Sequence, residues 1–537
     1  MKASYTLPVE PSLEELRSLR QLQRALDELL EEGLKLRESL DQSFQRCFPR
    51  LLELTGASAV ALTTRNEELV EQTWTEGDWG ERHPGPLLEG PFGARRMEGR
   101  TLVTQALDVA GARVGAIGML FAEEHPDARE SARLVRILET VAEELDTVLC
   151  LVQTAAEKHQ LIVQCNLHLS NPVFEVGMDQ AVLTLAQKVR LPGFLLLYRD
   201  AVRPQVLHYR TYRHGHLEYE SAQRPGPHLD RLIQKHGPEL LTRVDGSLRQ
   251  LFGQARGRTT EVVLISGTTT GEHLGKIILW SDEGFSAYTL EVVRLLASTL
   301  SQRLLDYNRE RIHLSQFFPS ATIDELLRDP AYGNHLRPQD QEVGIIFADI
   351  NGFTRICEQG FDSPKAIGRF VDEWSARVVD FIWKHGGVFD KMVGDCVIGL
   401  FGPPFFETSQ VQRVEAVVRA ALDIQEYTAS LSAREEVAEL CKRVQLPGLG
   451  VAIGVNLAHA NCGLFGPNRQ YTAFSTGMNQ TARLQSLGGF RETLLMDRAR
   501  NALAQSQEPW AQGLKFGPLA ETPVKNVGVP LRYYKLM

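Results

Sequence analysis

Two aspartates, at 349 and 395, stand at the ends of apolar strand patterns in the second half of the chain. Val343-Gly344-Ile345-Ile346-Phe347-Ala348-Asp349 reads as a buried strand ending in a carboxylate. Val388 to Val393 and Cys396 to Phe401 read as a hairpin whose turn is Gly394-Asp395. If that hairpin pairs with the first strand, both acids meet at one sheet edge. Carboxylates that close repel each other and raise a pKa. A divalent cation is the usual remedy, and hard oxygen donors suit Mg2+ or Mn2+ held by one or two carboxylates and substrate phosphates. Between the acids, Ile350-Asn351-Gly352-Phe353-Thr354 turns toward a helix expected from Pro364 to His385 and stopped by Gly386-Gly387. Backbone N–H groups at such an entrance can cradle phosphate. Each residue alone has an ordinary structural use, as a cap, a turn former or a solvated lysine. Their order and spacing together carry the signal.

The segment Phe347-Ala348-Asp349-Ile350-Asn351-Gly352-Phe353-Thr354, with Lys391-Met392-Val393-Gly394-Asp395, resembles the catalytic domain of class III nucleotide cyclases. Three further stretches fit the same family. They are Tyr471-Thr472-Ala473-Phe474-Ser475-Thr476-Gly477-Met478-Asn479-Gln480-Thr481-Ala482-Arg483, the ending Pro523-Val524-Lys525-Asn526-Val527-Gly528 with Tyr533-Tyr534, and the approach Phe317-Phe318-Pro319. The resemblance implies a ferredoxin-like catalytic fold over 341–537 and a head-to-tail homodimer. It implies that Asp349, Asp395 and the Ile350 carbonyl hold two Mg2+ or Mn2+ ions, and that Phe353 and Thr354 belong to the phosphate turn. Asn479 would orient the ribose and Arg483 would stabilise charge on the pentavalent transition state. Lys525 would contact the β- and γ-phosphates. Lys391 and Thr472 match the positions that read adenine, where guanylate-specific members usually replace the lysine with glutamate. The implied reaction converts ATP to cyclic AMP and pyrophosphate. A guanylate cyclase, and a ligand-sensing scaffold with an inert cyclase domain, are the alternatives. Two stretches depart from the family pattern: Phe474-Ser475-Thr476-Gly477 stands where Ile-Gly-Asp-Thr is frequent, and Ala458-His459-Ala460 replaces a more usual Thr-Gly-containing strand start.

The elements upstream define an α/β (α+β) multidomain chain. Residues 1–45 read as one helix with a leucine stripe at 19, 22, 26, 29, 36 and 40. Blocks 46–155 and 156–305 repeat one order: strand, variable loop, paired strands, long exit helix. The strands fall at Ala57 to Thr63, Leu102 to Val109 and Ala112 to Phe121, then at Phe194 to Arg199, Val262 to Ile265 and Leu274 to Trp280. That order resembles two tandem GAF domains, small sensory modules that often bind a small ligand. The Asn-Lys…Phe-x-x-x-Asp-Glu signature of cyclic-nucleotide-binding members is missing, because Thr289 and Leu290 stand at that offset from Phe285. Residues 306–340 form a helical linker. Stripes on the exit helices, Leu134 to Val152 and Leu290 to Leu314, predict a parallel dimer spine.

The chain has 537 residues with 43% hydrophobic and 23% charged content, which excludes a fibrous or mostly disordered protein. Lys plus Arg total 58 against 67 acids, a net charge of −9, so a nucleic-acid partner is not expected. No run reaches the length of a membrane span, and no secretory signal follows Met1. Seven scattered cysteines without a CxxC point to reduced thiols and a cytoplasmic location.

Overall fold

The computed structural model describes the chain apart from residues 1–9, 37–38, 66–70, 82, 89, 110–111, 123–125, 243–257, 266–272 and 524–529. It divides into two compact units, Met1–Leu161 and Ile162–Met537.

In the first unit, helices Leu13–Leu36 and Leu40–Thr55 replace the single N-terminal helix expected from the sequence. Ser39 starts the second one. Its hydroxyl accepts from the Gln42 N–H while the Gln42 side chain accepts from the Ser39 N–H, a reciprocal cap that begins a new helix. The strands are β1 (Ala59–Arg65), β2 (Glu71–Gly77), β3 (Gly93–Met97), β4 (Arg100–Val109) and β5 (Ala112–Phe121), in the order β2-β1-β5-β4-β3. β2 and β3 flank the Gly- and Pro-rich loop expected from Gly77 to Gly93 and were not expected as strands. Both are edge strands with polar sequences, so they lack the apolar alternation that marks a strand. Leu22, Leu26 and Leu30 of the first helix share one core with Phe44, Phe48, Val60 and Ile117. Leu134, Leu138, Val141 and Leu145 of the exit helix are buried in that same core. These stripes are core faces rather than a dimer spine. Spacings of three and four serve a core face as well as a coiled-coil seam.

In the second unit, β6 (Gly193–Arg199), β7 (Leu207–Arg213), β8 (His216–Glu220), β9 (Arg258–Ile265) and β10 (His273–Ser281) form a sheet in the order β8-β7-β6-β10-β9. β7 and β8 mix polar and aromatic residues and were not expected. His208, in β7, faces Asp200 at 2.8 Å as an ordinary polar partner. The helix Ala287–Leu314 begins at Ser286, whose hydroxyl accepts from the Thr289 N–H. Its stripe at Val293, Ala297, Leu300, Leu304 and Leu314 is buried within the chain, which again corrects the expected spine. Arg311 interrupts that stripe because it is paired. It meets Asp324 at 2.5 Å and Asp200 at 3.5 Å. Beyond the helix, the Phe317 carbonyl accepts from the Phe389 N–H and from the Trp383 Nε1–H, both at 3.0 Å. Phe318 meets the Tyr471 ring edge-on, with centroids 5.0 Å apart.

The third sheet is built from β11 (Gln339–Ile350), β12 (Gly387–Val393), β13 (Cys396–Phe401), β14 (Val451–Phe465), β15 (Gln470–Phe474), β16 (Thr493–Met496), β17 (Ala520–Thr522) and β18 (Leu531–Leu536). Its order is β12-β13-β11-β14-β16-β18-β17, with β15 paired to β14. Helices Pro364–Lys384 and Gln410–Leu431 cover one face through Trp374, Val378, Val417 and Ala421 against Ile346, Ala348 and Ile453. Helix Thr476–Leu487 lies close to β14. A Cβ at Gly454 would stand 2.9 Å from both the Thr481 carbonyl and the Gln485 nitrogen, so only glycine permits that approach. Among the described residues no helix is long and apolar enough to cross a membrane, and all seven cysteines are free thiols.

Candidate active site

β11 and β13 pair antiparallel, with Ala348 opposite Val397. The pairing carries Asp349, at the end of one strand, to Asp395 in the turn before the other, as the sequence predicts. The Ile350 N–H donates to Asp395 Oδ2 at 3.0 Å. Both acids are half-buried. Burial raises both, and the charge of Asp349 helps push Asp395 up to about 7. Two hard carboxylates that cannot comfortably both be charged form a donor set suited to a divalent cation. Beside them the chain makes a short helical turn, Phe353–Arg355, and then one π turn, Ile356–Gly360, before the helix at Pro364. Phe353 and Thr354 stand at that entrance.

A second cluster forms where β12 and β15 meet. Lys391 Nζ lies 6.0 Å from the Phe474 ring centroid and 3.8 Å from Asp390 Oδ1. Thr472, buried on β15, faces the same aspartate. Lys391 and Thr472, distant in sequence, are therefore brought together. Asp390 was missed by sequence reasoning, because strict alternation places it on the face opposite Lys391.

Asn479 and Arg483 lie on helix Thr476–Leu487, and both are exposed. Gln485 of that helix was also missed. It is buried, and its Nε2 donates to Asp349 Oδ2 at 3.4 Å. Two residues along an α-helix are about 200° apart around its axis. The Asn479–Arg483 face thus points away from Asp349, the acid that Gln485 touches. Within one chain these groups do not converge. Lys525 lies outside the described residues.

The departures noted in the sequence explain each other. Ser475 caps the helix, its hydroxyl accepting from the Met478 N–H at 3.0 Å. The Gly477 carbonyl accepts from Thr481 Oγ1 at 2.7 Å and Asn456 Nδ2 at 3.2 Å. A Cβ on Gly477 would stand 2.3 Å from the Ala458 Cβ. The altered helix start and the altered strand therefore touch. Gly477→Ala should destabilise the protein by about 1–3 kcal/mol through overpacking, and adding Ala458→Gly should restore most of it. Urea unfolding of the single and double variants checks this; additive losses would show that the contact is not limiting.

Residues 336–534 match the family model described as the adenylate and guanylate cyclase catalytic domain. This part of the chain is a class III nucleotide cyclase catalytic domain. An uncharacterized protein of Mycobacterium tuberculosis is 25% identical over 187 residues, covering 33% of this chain and 31% of the relative. A second from the same organism is 28% identical over 174 residues, covering 32% and 29%. The chain thus spans about a third of the length of the curated relatives it matches. Among solved structures, the adenylyl cyclase CyaB from P. aeruginosa is similar at 21% identity and TM-score 0.32, covering 38% of this chain and 96% of that one. The guanylyl cyclase Cya2 is similar at 22% identity and TM-score 0.31, covering 37% and 93%.

Proposed function

We propose that the protein is an adenylate cyclase that works as a head-to-tail homodimer under the control of its N-terminal sensory blocks. The observation that carries the chemistry is the adjacency of Asp349 and Asp395 beside the helical turn Phe353–Arg355. Asp349, Asp395 and the Ile350 carbonyl would hold two Mg2+ or Mn2+ ions, which neutralise phosphate charge and make the ribose 3′-hydroxyl more acidic. Backbone N–H groups at Phe353 and Thr354 receive the phosphates, with Lys525 on the β- and γ-groups. Asn479 of the opposite subunit orients the ribose, and its Arg483 meets the charge that builds as the O3′–Pα bond forms and the bond to pyrophosphate breaks. Lys391 donates to adenine N1 and Thr472 accepts from the exocyclic amine.

Blocks 46–155 and 156–305 act as GAF-like sensors for a small-molecule signal. The linker 306–340 passes that signal to the catalytic domain 341–537. The protein works in the cytoplasm without nucleic acid.

Purified protein incubated with ATP or GTP in Mg2+ or Mn2+ should yield cyclic AMP, resolved by chromatography. Cyclic GMP as the dominant product would overturn the base assignment while keeping the cyclase reading. Lys391→Glu combined with Thr472→Cys should lower ATP turnover at least about tenfold, since mismatched buried polar groups are costly. Unchanged ATP turnover would sink the base-reading pair.

A further inference from the structure

Asp390 is a buried acid that neither the metal pair nor the strand ladder uses. The register of β12 on β13 shifts between Phe389 and Lys391, which makes Asp390 the extra residue of a β-bulge. A bulge re-aims side chains, and here it sends two consecutive residues toward one place. The Asp390 side chain is fully buried, yet its Oδ1 lies within 3.8 Å of Lys391 Nζ. Neither carboxylate oxygen has a well-formed hydrogen bond within the chain, and neither has the buried Thr472 hydroxyl that faces it. Orphaned buried polar groups are rare and costly. Here the two stand side by side, next to the lysine assigned to the base, so each is the partner open to the other. Burial raises the Asp390 carboxyl to about 6, while Thr472 and Lys391 pull it down, so it is ionised at pH 8.

We propose that Asp390 is a specificity-determining positioning residue for the nucleotide base. An ionised carboxylate can only accept hydrogen bonds. It therefore draws the Thr472 O–H inward and leaves the hydroxyl oxygen facing the base as an acceptor. Adenine presents an amine donor at its six-position and guanine a carbonyl acceptor. An outward-facing acceptor selects the former. Asparagine in place of Asp390 offers Thr472 an N–H donor, so the threonine turns its own O–H outward and the preference shifts toward guanine. This inference rests on the assignment of Lys391 and Thr472 as base readers.

The test measures kcat and KM for ATP and GTP with the full chain carrying Asp390→Asn, Thr472→Val or both. Asp390→Asn is isosteric, and the Lys391 ammonium it releases is already in contact with solvent, so folding is not compromised. The expected result is that Asp390→Asn lowers the ATP-to-GTP ratio of kcat/KM about 10- to 100-fold, mostly through KM. Thr472→Val also lowers the ratio, and Asp390→Asn then adds nothing further. An unchanged ratio in Asp390→Asn, with a changed one in Thr472→Val, overturns the role of Asp390. An effect of equal size in both backgrounds overturns the route through Thr472. A ratio unmoved by Thr472→Val overturns the base-reading pair itself, and this inference with it.

Discussion

Asp395→Asn should abolish cyclic-nucleotide formation and, in the same protein, raise the melting temperature without metal at pH 8. The two effects have one origin. An aspartate titrates near 4 in an unfolded chain, whereas burial and the neighbouring Asp349 carry Asp395 to about 7 in the folded one. Between those values the folded state binds more protons than the unfolded state. Stability therefore falls as pH rises from about 4 to about 7 and stays reduced above that. Asparagine carries no charge and removes the penalty. Solvent reaches the pair and screens it, so the gain is on the order of 1–2 kcal/mol at pH 8 and vanishes near pH 4. Activity should fall at least about 100-fold, because on the proposed reading the lost carboxylate would hold the cation that neutralises phosphate charge. Added Mg2+ should stabilise the parent chain more than the variant, as ligand binding shifts folding by mass action. Melting curves across pH decide this: a variant less stable than the parent at pH 8 would mean that the two acids do not oppose each other.

Mixing two inactive variants should create an active enzyme. Asp349→Ala keeps Arg483, and Arg483→Ala keeps Asp349. If each site takes its acids from one chain and its arginine from the other, a mixed dimer holds one site with neither substitution. Random exchange makes half the dimers mixed, each with one of two sites intact, so activity returns to about a quarter of the unsubstituted protein. The physical motive lies in helix Thr476–Leu487, where Gln485 reaches Asp349 while Asn479 and Arg483 face solvent. Neither variant should recover alone. A mixture that stays inactive after exchange would mean that one chain completes its own site.

The acids were legible because apolar runs mark strand ends, and a hairpin beside a buried strand leaves little choice of pairing. Asp349 and Asp395 meet as the residue pattern requires. Asp390 was hidden because a bulge is a property of register, and register depends on the partner strand. Gln485 was hidden because its role follows from how close the helix sits at Gly454, a tertiary fact with no local mark. The helical stripes misled for a related reason: Leu138 or Leu300 has the same spacing whether it faces its own sheet or another chain. Polar edge strands such as β8 carry no apolar alternation to read. The departures around Ser475 looked like defects in sequence, and only the Gly477–Ala458 contact reveals them as a matched pair.

The segment that leaves helix Ala287–Leu314 is fastened to two strands of the third sheet. Phe317 is tied to Phe389, and Phe318 rests on Tyr471. Those anchors immediately precede Asp390 and Thr472. A displacement of the helix end therefore pulls on β12 and β15 together, the two strands that carry the proposed base readers Lys391 and Thr472. On the proposed reading, mechanical input would arrive at the base end of the nucleotide site before it reaches the acid pair.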